Sequence, residues 1–270
     1  MPGAGQADGS EVKPAGPIGN HRVVRKSTKM DTIRKAAIIV GGLYILGTVA
    51  GILSVVFTGP ILNVPLDLSK VSTNGTQIVL GALSVLSMGL VLAMVPVMMF
   101  PILKKQNEAL ALGYVVFRGA LETVTYIATA VTWFFLFIVS REYVQAGPSM
   151  QAYFQALGAS LPEANAWISQ VTTIIFILGA GIFYSLLFRS ELIPRWISGW
   201  GLAAAIPYFA AGLCVLFGLI SSMSTVDSAL RLPLGVQEMV LAIWLIVKGF
   251  NPAAIASLSV KVEPNQGDQQ

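Results

Sequence analysis

Residues 77–103 read QIVLGALSVLSMGLVLAMVPVMMFPIL, a run of 27 residues without a charged side chain. An α-helix needs roughly 20 residues to cross a hydrocarbon core of about 30 Å, so this run is long enough to span a membrane. Its apolar residues are continuous rather than alternating with polar ones, which excludes a strand of a transmembrane β-barrel. The stretch therefore predicts a transmembrane helix.

Five further blocks have the same character. The six predicted spans cover residues 36–58, 77–103, 109–140, 162–188, 196–221 and 232–250. The whole chain of 270 residues is 55% apolar and 11% charged, with a mean hydropathy of +0.73. A soluble domain carries roughly 25% charged residues, so the composition excludes a soluble globular protein. The sequence predicts an all-α, polytopic integral membrane protein with a six-helix bundle over residues 36–250.

The two ends of the chain lack this apolar character. Residues 1–35 are predicted to be a disordered, basic tail, and residues 251–270 a disordered C-terminal tail. Basic side chains directly before the first span attract anionic lipid headgroups at about 1 kcal/mol each. They are Arg22, Arg25, Lys26, Lys29, Arg34 and Lys35. We expect this segment to bind the membrane surface rather than nucleic acid, because it has no interleaved aromatic residues and adjoins a span.

The distribution of positive charge predicts the orientation of the bundle. Thirteen of the 17 Lys and Arg residues precede the first span, lie in the loops on that same side, or lie at or beyond the end of the last span. Lys70, Arg141 and Arg231 are assigned to the other side, and Arg118 lies within a span. Positively charged loops stay in the cytoplasm, so both termini are predicted to be cytoplasmic. The outer loop of residues 141–161 is predicted to form a short amphipathic helix on the interface before the fourth span begins near Pro162.

Away from the ends of the predicted spans, only three charged residues remain: Arg118 and Glu122 in the third and Glu238 in the sixth. A charge at mid-membrane costs at least about 2.5 kcal/mol, so these three are the candidate functional residues. Residues that recur at helical spacing extend the face of Arg118 and Glu122 into a polar stripe pointing into the bundle. They are Tyr114, Thr125, Thr129 and Thr132.

Three interpretations of the stripe remain open. In the first, the stripe lines a polar cavity or a path for an ion, proton or substrate. In the second, it holds the third helix to its neighbours through an Arg–Glu pair and threonine hydrogen bonds. In the third, the Arg118 side chain extends to the lipid headgroups. Glu238 is predicted to lie about 8 Å below the outer end of a helix that starts near Pro233. If the third helix starts near Ala109, Arg118 can bridge Glu122 and Glu238; if it starts near Arg118, the two carboxylates are too far apart.

The residue inventory argues against several kinds of chemistry. The chain has one histidine, His21, and one cysteine, Cys214, which leaves a zinc site or a nucleophilic triad hard to build. We expect no catalytic residues, no metal and no cofactor.

The first span carries a row of small residues. Gly47, Gly51 and Ser54 form this row, which is suited to close helix contact.

Four stretches together resemble a family of uncharacterised prokaryotic multi-pass membrane proteins, the domain of unknown function 4386. They are RKAAIIVGGLYILGTVAGIL (34–53), FRGALE (117–122), LLFRSELIPRWISGWGL (186–202) and QEMVLAIWLIVKGFNP (237–252). The resemblance implies a multi-pass protein of a prokaryotic plasma membrane. It also places a set of residues on the family's recurrent positions: Arg118, Glu122, Arg189, Pro194, Arg195, Trp200, Glu238 and Trp244. It implies no activity.

The sequence therefore leaves three functional hypotheses. The first is a small channel-like, transport or accessory component with an intramembrane Arg/Glu stripe. The second is a structural or regulatory subunit that contacts a membrane-protein partner. The third is an intramembrane enzyme that uses Glu122 or Glu238 as an acid or base, and it is the least supported because a clear nucleophile is missing.

Overall fold

The computed structural model describes residues 18–62, 65–222 and 224–260, and side chains within these ranges from residue 31 to residue 258. All regular elements in these ranges are helical. In chain order they are α1 (Ile18–Thr58), α2 (Leu68–Thr73), α3 (Gly75–Leu103), α4 (Glu108–Tyr114), a π-helical segment (Val115–Leu121), α5 (Glu122–Gln145), α6 (Pro148–Ser190), α7 (Arg195–Leu216), α8 (Thr225–Val247) and α9 (Pro252–Val260).

Six helical stretches are long and apolar enough to cross a membrane, which confirms the predicted all-α, multi-pass architecture. They are α1 from Asp31 onward, α3, the continuous Glu108–Gln145 stretch of α4, the π segment and α5, then α6, α7 and α8. Side chains at the ends of four of these helices define what we call the basic end of the bundle: Lys104, Arg189, Arg195 and Lys248. The opposite end carries α2 and the segment between α7 and α8.

The six spans form a closed ring in which each packs against its sequence neighbours and α8 packs against α1. Small residues allow the closest approaches. A Cβ atom added at Gly41 would lie 2.6 Å from the Ala242 carbonyl oxygen of α8. One added at Gly47 would lie 2.6 Å from Leu92 of α3. The predicted small-residue row of α1 thus lies at a tight helix contact.

At both ends of the chain the structure has helices where disordered tails were predicted. Helix α1 begins at Ile18, so residues 18–35 are helical rather than disordered. Lys and Arg are good helix formers, and a helix already nucleated in the apolar span extends at little cost. At the other terminus, α9 packs Ile255 and Leu258 into the main core at the basic end. The predictions for residues 1–17 and 261–270 lie outside the described residues.

The outer loop also differs from its prediction. Helix α5 continues to Gln145, and α6 runs unbroken from Pro148 through Pro162 to Ser190. A 43-residue helix is about 64 Å long, twice the thickness of the hydrocarbon core. Its first turns pack against α2, where a Cβ at Gly158 would lie 2.6 Å from Leu68. Helix α2 packs mainly against α5, and its Leu68 also contacts this part of α6. Residues 148–161 therefore continue α6 and do not form a separate helix on the interface.

The last two spans start and end at positions other than those predicted. Helix α7 ends at Leu216 rather than near residue 221. Helix α8 begins at Thr225 rather than near residue 232, and the Ser224 hydroxyl caps it by accepting a hydrogen bond from the Asp227 amide. Pro233 therefore lies inside α8 and not in its first turn.

Candidate functional site

Arg118 bridges two carboxylates from different helices in the interior of the ring. Its Nη1 donates to both oxygens of Glu122, at 2.7 and 2.8 Å, and its Nη2 donates to Glu238 Oε1 at 3.3 Å. The exposed fractions of these side chains are 5%, 1% and 18% for Arg118, Glu122 and Glu238. The structure therefore has the first of the two predicted arrangements, and Arg118 does not extend to the headgroups.

The depth predicted for Glu238 is wrong. Because α8 starts at Thr225, Glu238 lies 13 residues, or about 20 Å, from the opposite end of the helix, and not about 8 Å. The third span starts at Glu108, which places Arg118 a similar distance from the basic end as Glu238. The three charges therefore meet near the middle of the membrane-spanning region.

Arg118 lies within the π-helical segment, which neither hydropathy nor helical spacing in the sequence predicts. The Glu122 amide donates to the Phe117 carbonyl, five residues back, which widens the helix turn at this position. Such π turns are rare and occur often at functional sites. A Cβ at Gly179 of α6 would lie 2.5 Å from Arg118 Cγ, so a glycine is what lets α6 approach the wide turn so closely.

Two aromatic side chains complete the surroundings of the charges. The Tyr126 hydroxyl donates to Glu122 Oε1 at 2.7 Å, and the Phe176 ring lies 4.5 Å from Arg118 Cζ, within cation–π distance. Tyr126 lies four residues after Glu122, so helical spacing could have identified it. Phe176 belongs to α6, and no signal in the sequence connects it with Arg118.

The predicted polar stripe divides into two parts. Arg118 and Thr129 line a cavity in the ring. The Thr125 hydroxyl donates to the Glu122 carbonyl, and the Thr132 hydroxyl donates to the Ala128 carbonyl. These two threonines satisfy the backbone of their own helix, as the structural interpretation of the stripe expected.

The predicted stripe residue Tyr114 belongs to an aromatic layer between Arg118 and the basic end. It is fully buried and stacks on Phe183 with ring centroids 4.5 Å apart. Its hydroxyl lies 3.4 Å from that of Tyr44, and Tyr184 is also buried beside Phe183. This layer separates the charges from the basic end of the bundle.

A cavity of about 840 Å³ extends from Arg118 and Glu238 toward the opposite end of the ring, as far as Ser222. All six spans contribute to its lining. The polar lining residues include Ser169, Gln170, Thr172, Thr173, Asp227, Ser228 and Arg231. The apolar lining residues include Val85, Met88, Leu92, Leu232, Val236 and Met239.

A second ion pair lies in the cavity, at a position that was predicted to be a loop. Arg231 Nε donates to Asp227 Oδ1 at 2.6 Å, and its Nη1 donates to the Thr173 hydroxyl at 3.0 Å. Its Cζ lies 4.8 Å from the Tyr208 ring centroid. The predicted position of Arg231 in an outer loop is wrong, because α8 begins six residues before it, at Thr225. Instead it joins α8 to α6 and α7 within the bundle.

The described residues contain no group of three or more His, Cys, Asp or Glu side chains arranged to hold a metal ion. The bridged centre has two carboxylates and a guanidinium, and a guanidinium has no lone pair to offer a metal. The arrangement is suited to binding a proton or a positively charged group next to Glu238.

A family model of unknown function matches residues 39–249, a range that contains Arg118, Glu122 and Glu238. No curated protein and no solved structure matches the chain. The matched range covers more than three quarters of the sequence and includes all six spans at least in part. The chain therefore belongs to the family described as Domain of unknown function (DUF4386).

Proposed function

We propose that this protein is a channel-like or transport component of the membrane that binds a proton or a cation at Arg118, Glu122 and Glu238. One observation carries the proposal: a single guanidinium faces two carboxylates at the inner end of a cavity in the middle of the spans. An uncompensated charge in such an environment is costly, so the second carboxylate needs a positive partner.

Glu238 is the carboxylate that can exchange its contact with Arg118 for a proton or an entering cation. Both oxygens of Glu122 accept from Arg118, and one also accepts from Tyr126, so Glu122 is the fixed counter-ion. Glu238 has a single, longer contact with Arg118 and is partly exposed to the cavity. A species entering the cavity therefore reaches Glu238 first.

Passage through the protein requires a second conformation. The aromatic layer of Tyr44, Tyr114 and Phe183 lies between the charges and the basic end. If the side chains of this layer moved apart, Glu238 would be connected to the basic end. If the helices closed around Arg231, the cavity would be sealed from the opposite end. A two-state bundle of this kind gives alternating access to a central site.

The experiment is ion flux in reconstituted vesicles. Purified protein should conduct or exchange protons, sodium or potassium faster than empty liposomes, and Glu238→Gln should abolish the excess while leaving thermal unfolding in detergent nearly unchanged. Glu142→Gln, at an exposed position near the opposite end of α5, is the matched control and should behave as wild type. Absence of flux from the wild-type protein would instead support a structural or regulatory subunit.

The proposal includes no enzymatic chemistry. The cavity lining contains neither His nor Cys among the described residues, and its carboxylates are engaged by arginines. A general acid or base needs a reacting group beside it, and no activated nucleophile accompanies Glu238.

We also propose the plasma membrane of a prokaryotic cell as the location, with anionic lipid headgroups bound by the basic segment before the first span. The support is the charge pattern of residues 22–35 and the family membership. Replacing Arg22, Arg25, Lys26 and Lys29 by Gln should remove the extra thermal stability that phosphatidylglycerol gives over phosphatidylcholine. An unchanged lipid preference would contradict this role.

A further inference from the structure

We infer that the ligand of the cavity is a protonated amine attached to an apolar body, and that it enters from the lipid. The inference rests on the proposed cation site and adds the chemical class of the ligand and its route. Four features of the cavity support it: the exposed part of the Glu238 side chain, the apolar lining residues, the edge that faces lipid, and an acceptor on α6 without a recorded partner.

The charges favour a ligand with one positive charge. Around the cavity, three carboxylates (Glu122, Glu238 and Asp227) face two guanidinium groups. Of the three, Glu238 has the weakest recorded contact, 3.3 Å to Arg118, and its side chain opens to the cavity. An ammonium group beside Glu238 balances this charge, whereas an anion adds to it.

Gln170 provides a second acceptor, farther along the cavity from Glu238. Its side chain lines the cavity, its residue is 5% exposed, and its Oε1 has no hydrogen-bond partner among the described residues. Thr173, three residues along α6 from Gln170, contacts Arg231, which lies seven residues from Glu238 on α8, so Gln170 lies farther along the cavity than an ammonium group at Glu238. A carbonyl oxygen can only accept, so Gln170 offers an acceptor to a second donor on a longer amine.

The apolar wall indicates that the charged group is attached to a hydrophobic body. Val85, Met88 and Leu92 of α3 and Met239 of α8 form an apolar part of the cavity lining. The volume of about 840 Å³ lies within the range of about 300–1,000 Å³ typical of sites for drug-sized organic ligands. A hydrated inorganic ion gains nothing from this wall, while methionine side chains adapt to varied apolar shapes.

The edge of the cavity between α8 and α1 faces lipid. Leu232 and Val236 line the cavity and are 64% and 43% exposed, and Thr48 of α1 lines it as well. In a membrane-spanning helix such exposed apolar side chains contact acyl chains. An amphiphilic amine dissolved in the bilayer can therefore enter sideways with its charged end leading toward Glu238.

The same chemistry has two sources: a free amphiphilic amine and the headgroup amine of an aminophospholipid. Both present N–H donors on an ammonium next to an apolar body. The test uses radiolabelled n-octylamine and the full-length protein in phosphatidylcholine nanodiscs, so that the surrounding lipid carries no N–H donor.

Octylamine should bind saturably at one site, and neither octanol nor octanoate should displace it. Glu238→Gln should weaken binding about tenfold or more, as expected for loss of a charge-assisted contact. Gln170→Leu should change octylamine binding little, because octylamine has no second donor, and Glu142→Gln should leave it unchanged. Equal displacement by octanol, or binding unaffected by Glu238→Gln, would overturn the inference.

The entry route has a matched pair of variants on one face of α8. Val236→Trp narrows the lipid-facing edge and should slow octylamine association several-fold. Ile243→Trp, seven residues further along the same face and also exposed, lies outside the cavity lining and should leave the rate unchanged. Equal rates for both variants and the wild type would contradict entry from the lipid.

Nanodiscs with phosphatidylethanolamine separate the two sources. If octylamine binds more weakly in these nanodiscs than in phosphatidylcholine alone, the headgroup amine competes for the site and is its ligand. If the affinity is unchanged, the ligand is a free amine. Octylamine binding without any proton or cation flux would contradict the proposed transport and leave the ligand class intact. Glu238-dependent flux without octylamine binding would overturn the ligand class and leave the proposed transport intact.

Discussion

Arg118 shows how a charged residue is accommodated in the interior of a membrane protein. Its guanidinium donates to Glu122 and Glu238 and stacks on Phe176, so it is both paired and packed. Removing one partner of a buried ion pair strands the other charge, and that penalty exceeds the net contribution of the pair itself. The stability of this centre therefore depends on the balance of charges rather than on any one side chain.

Arg118→Met should lower the free energy of unfolding by about 3–5 kcal/mol, because the almost fully buried Glu122 loses its guanidinium partner. The double variant Arg118→Met with Glu122→Gln should recover part of that loss, since the stranded charge is gone and Tyr126 can still donate to the amide oxygen. The measurement is a double-mutant cycle by thermal and denaturant unfolding in detergent. Strictly additive effects of the two changes would show that the residues do not act as a pair.

At the scale of elements, a side chain of α1 caps the end of α8. Arg34 Nη1 donates to the Leu245 carbonyl at 3.0 Å, and its Nη2 donates to the Ile246 and Val247 carbonyls at 2.6 and 3.1 Å. The last carbonyls of a helix lack partners within the helix and carry the negative end of its dipole, so a guanidinium there is stabilising. This contact joins the first and last spans and helps to close the ring.

Arg34→Met should lower the free energy of unfolding by about 2 kcal/mol, because the last carbonyls of α8 lose a charged donor. Lys35→Met is the control: it removes a neighbouring positive charge at an exposed position and should change stability little. Unfolding in detergent measures both. If the two variants lose the same stability, the effect comes from the loss of basic charge at this end and not from the cap.

At the scale of the whole molecule, the ring has two chemically different ends. The cavity extends toward the end that carries α2, while the aromatic layer and α9 lie toward the basic end. Positive charge concentrates at the basic end, which predicts that this end faces the cytoplasm and that the cavity faces outward.

Cysteine labelling tests this orientation. In a Cys214→Ser background, Ser149→Cys at the exposed start of α6 should react with an impermeant maleimide in intact cells. Ser257→Cys, exposed on α9 at the basic end, should react only after the cells are opened. The reverse pattern would place the basic end outside and invert the predicted topology.

The sequence by itself determined the architecture and the identity of the central charges. Long uncharged runs such as residues 77–103 specify spanning helices because backbone groups in lipid must bond within their own segment. Arg118, Glu122 and Glu238 were recognisable because charge is costly at that depth, and Gly47 because small residues permit close packing. These are local properties of composition and spacing, which need no knowledge of neighbouring helices.

The tertiary structure decided where helices end and what the charges contact. The start of α8 at Thr225 and the unbroken α6 depend on packing against other elements, and a hydropathy pattern does not contain that information. The bridge from Arg118 to Glu238 joins residues 120 positions apart, and Gln170 meets the cavity only because six helices close into a ring. Contacts of this kind arise from side chains that converge across the bundle, so they follow from the three-dimensional packing and not from spacing along the chain.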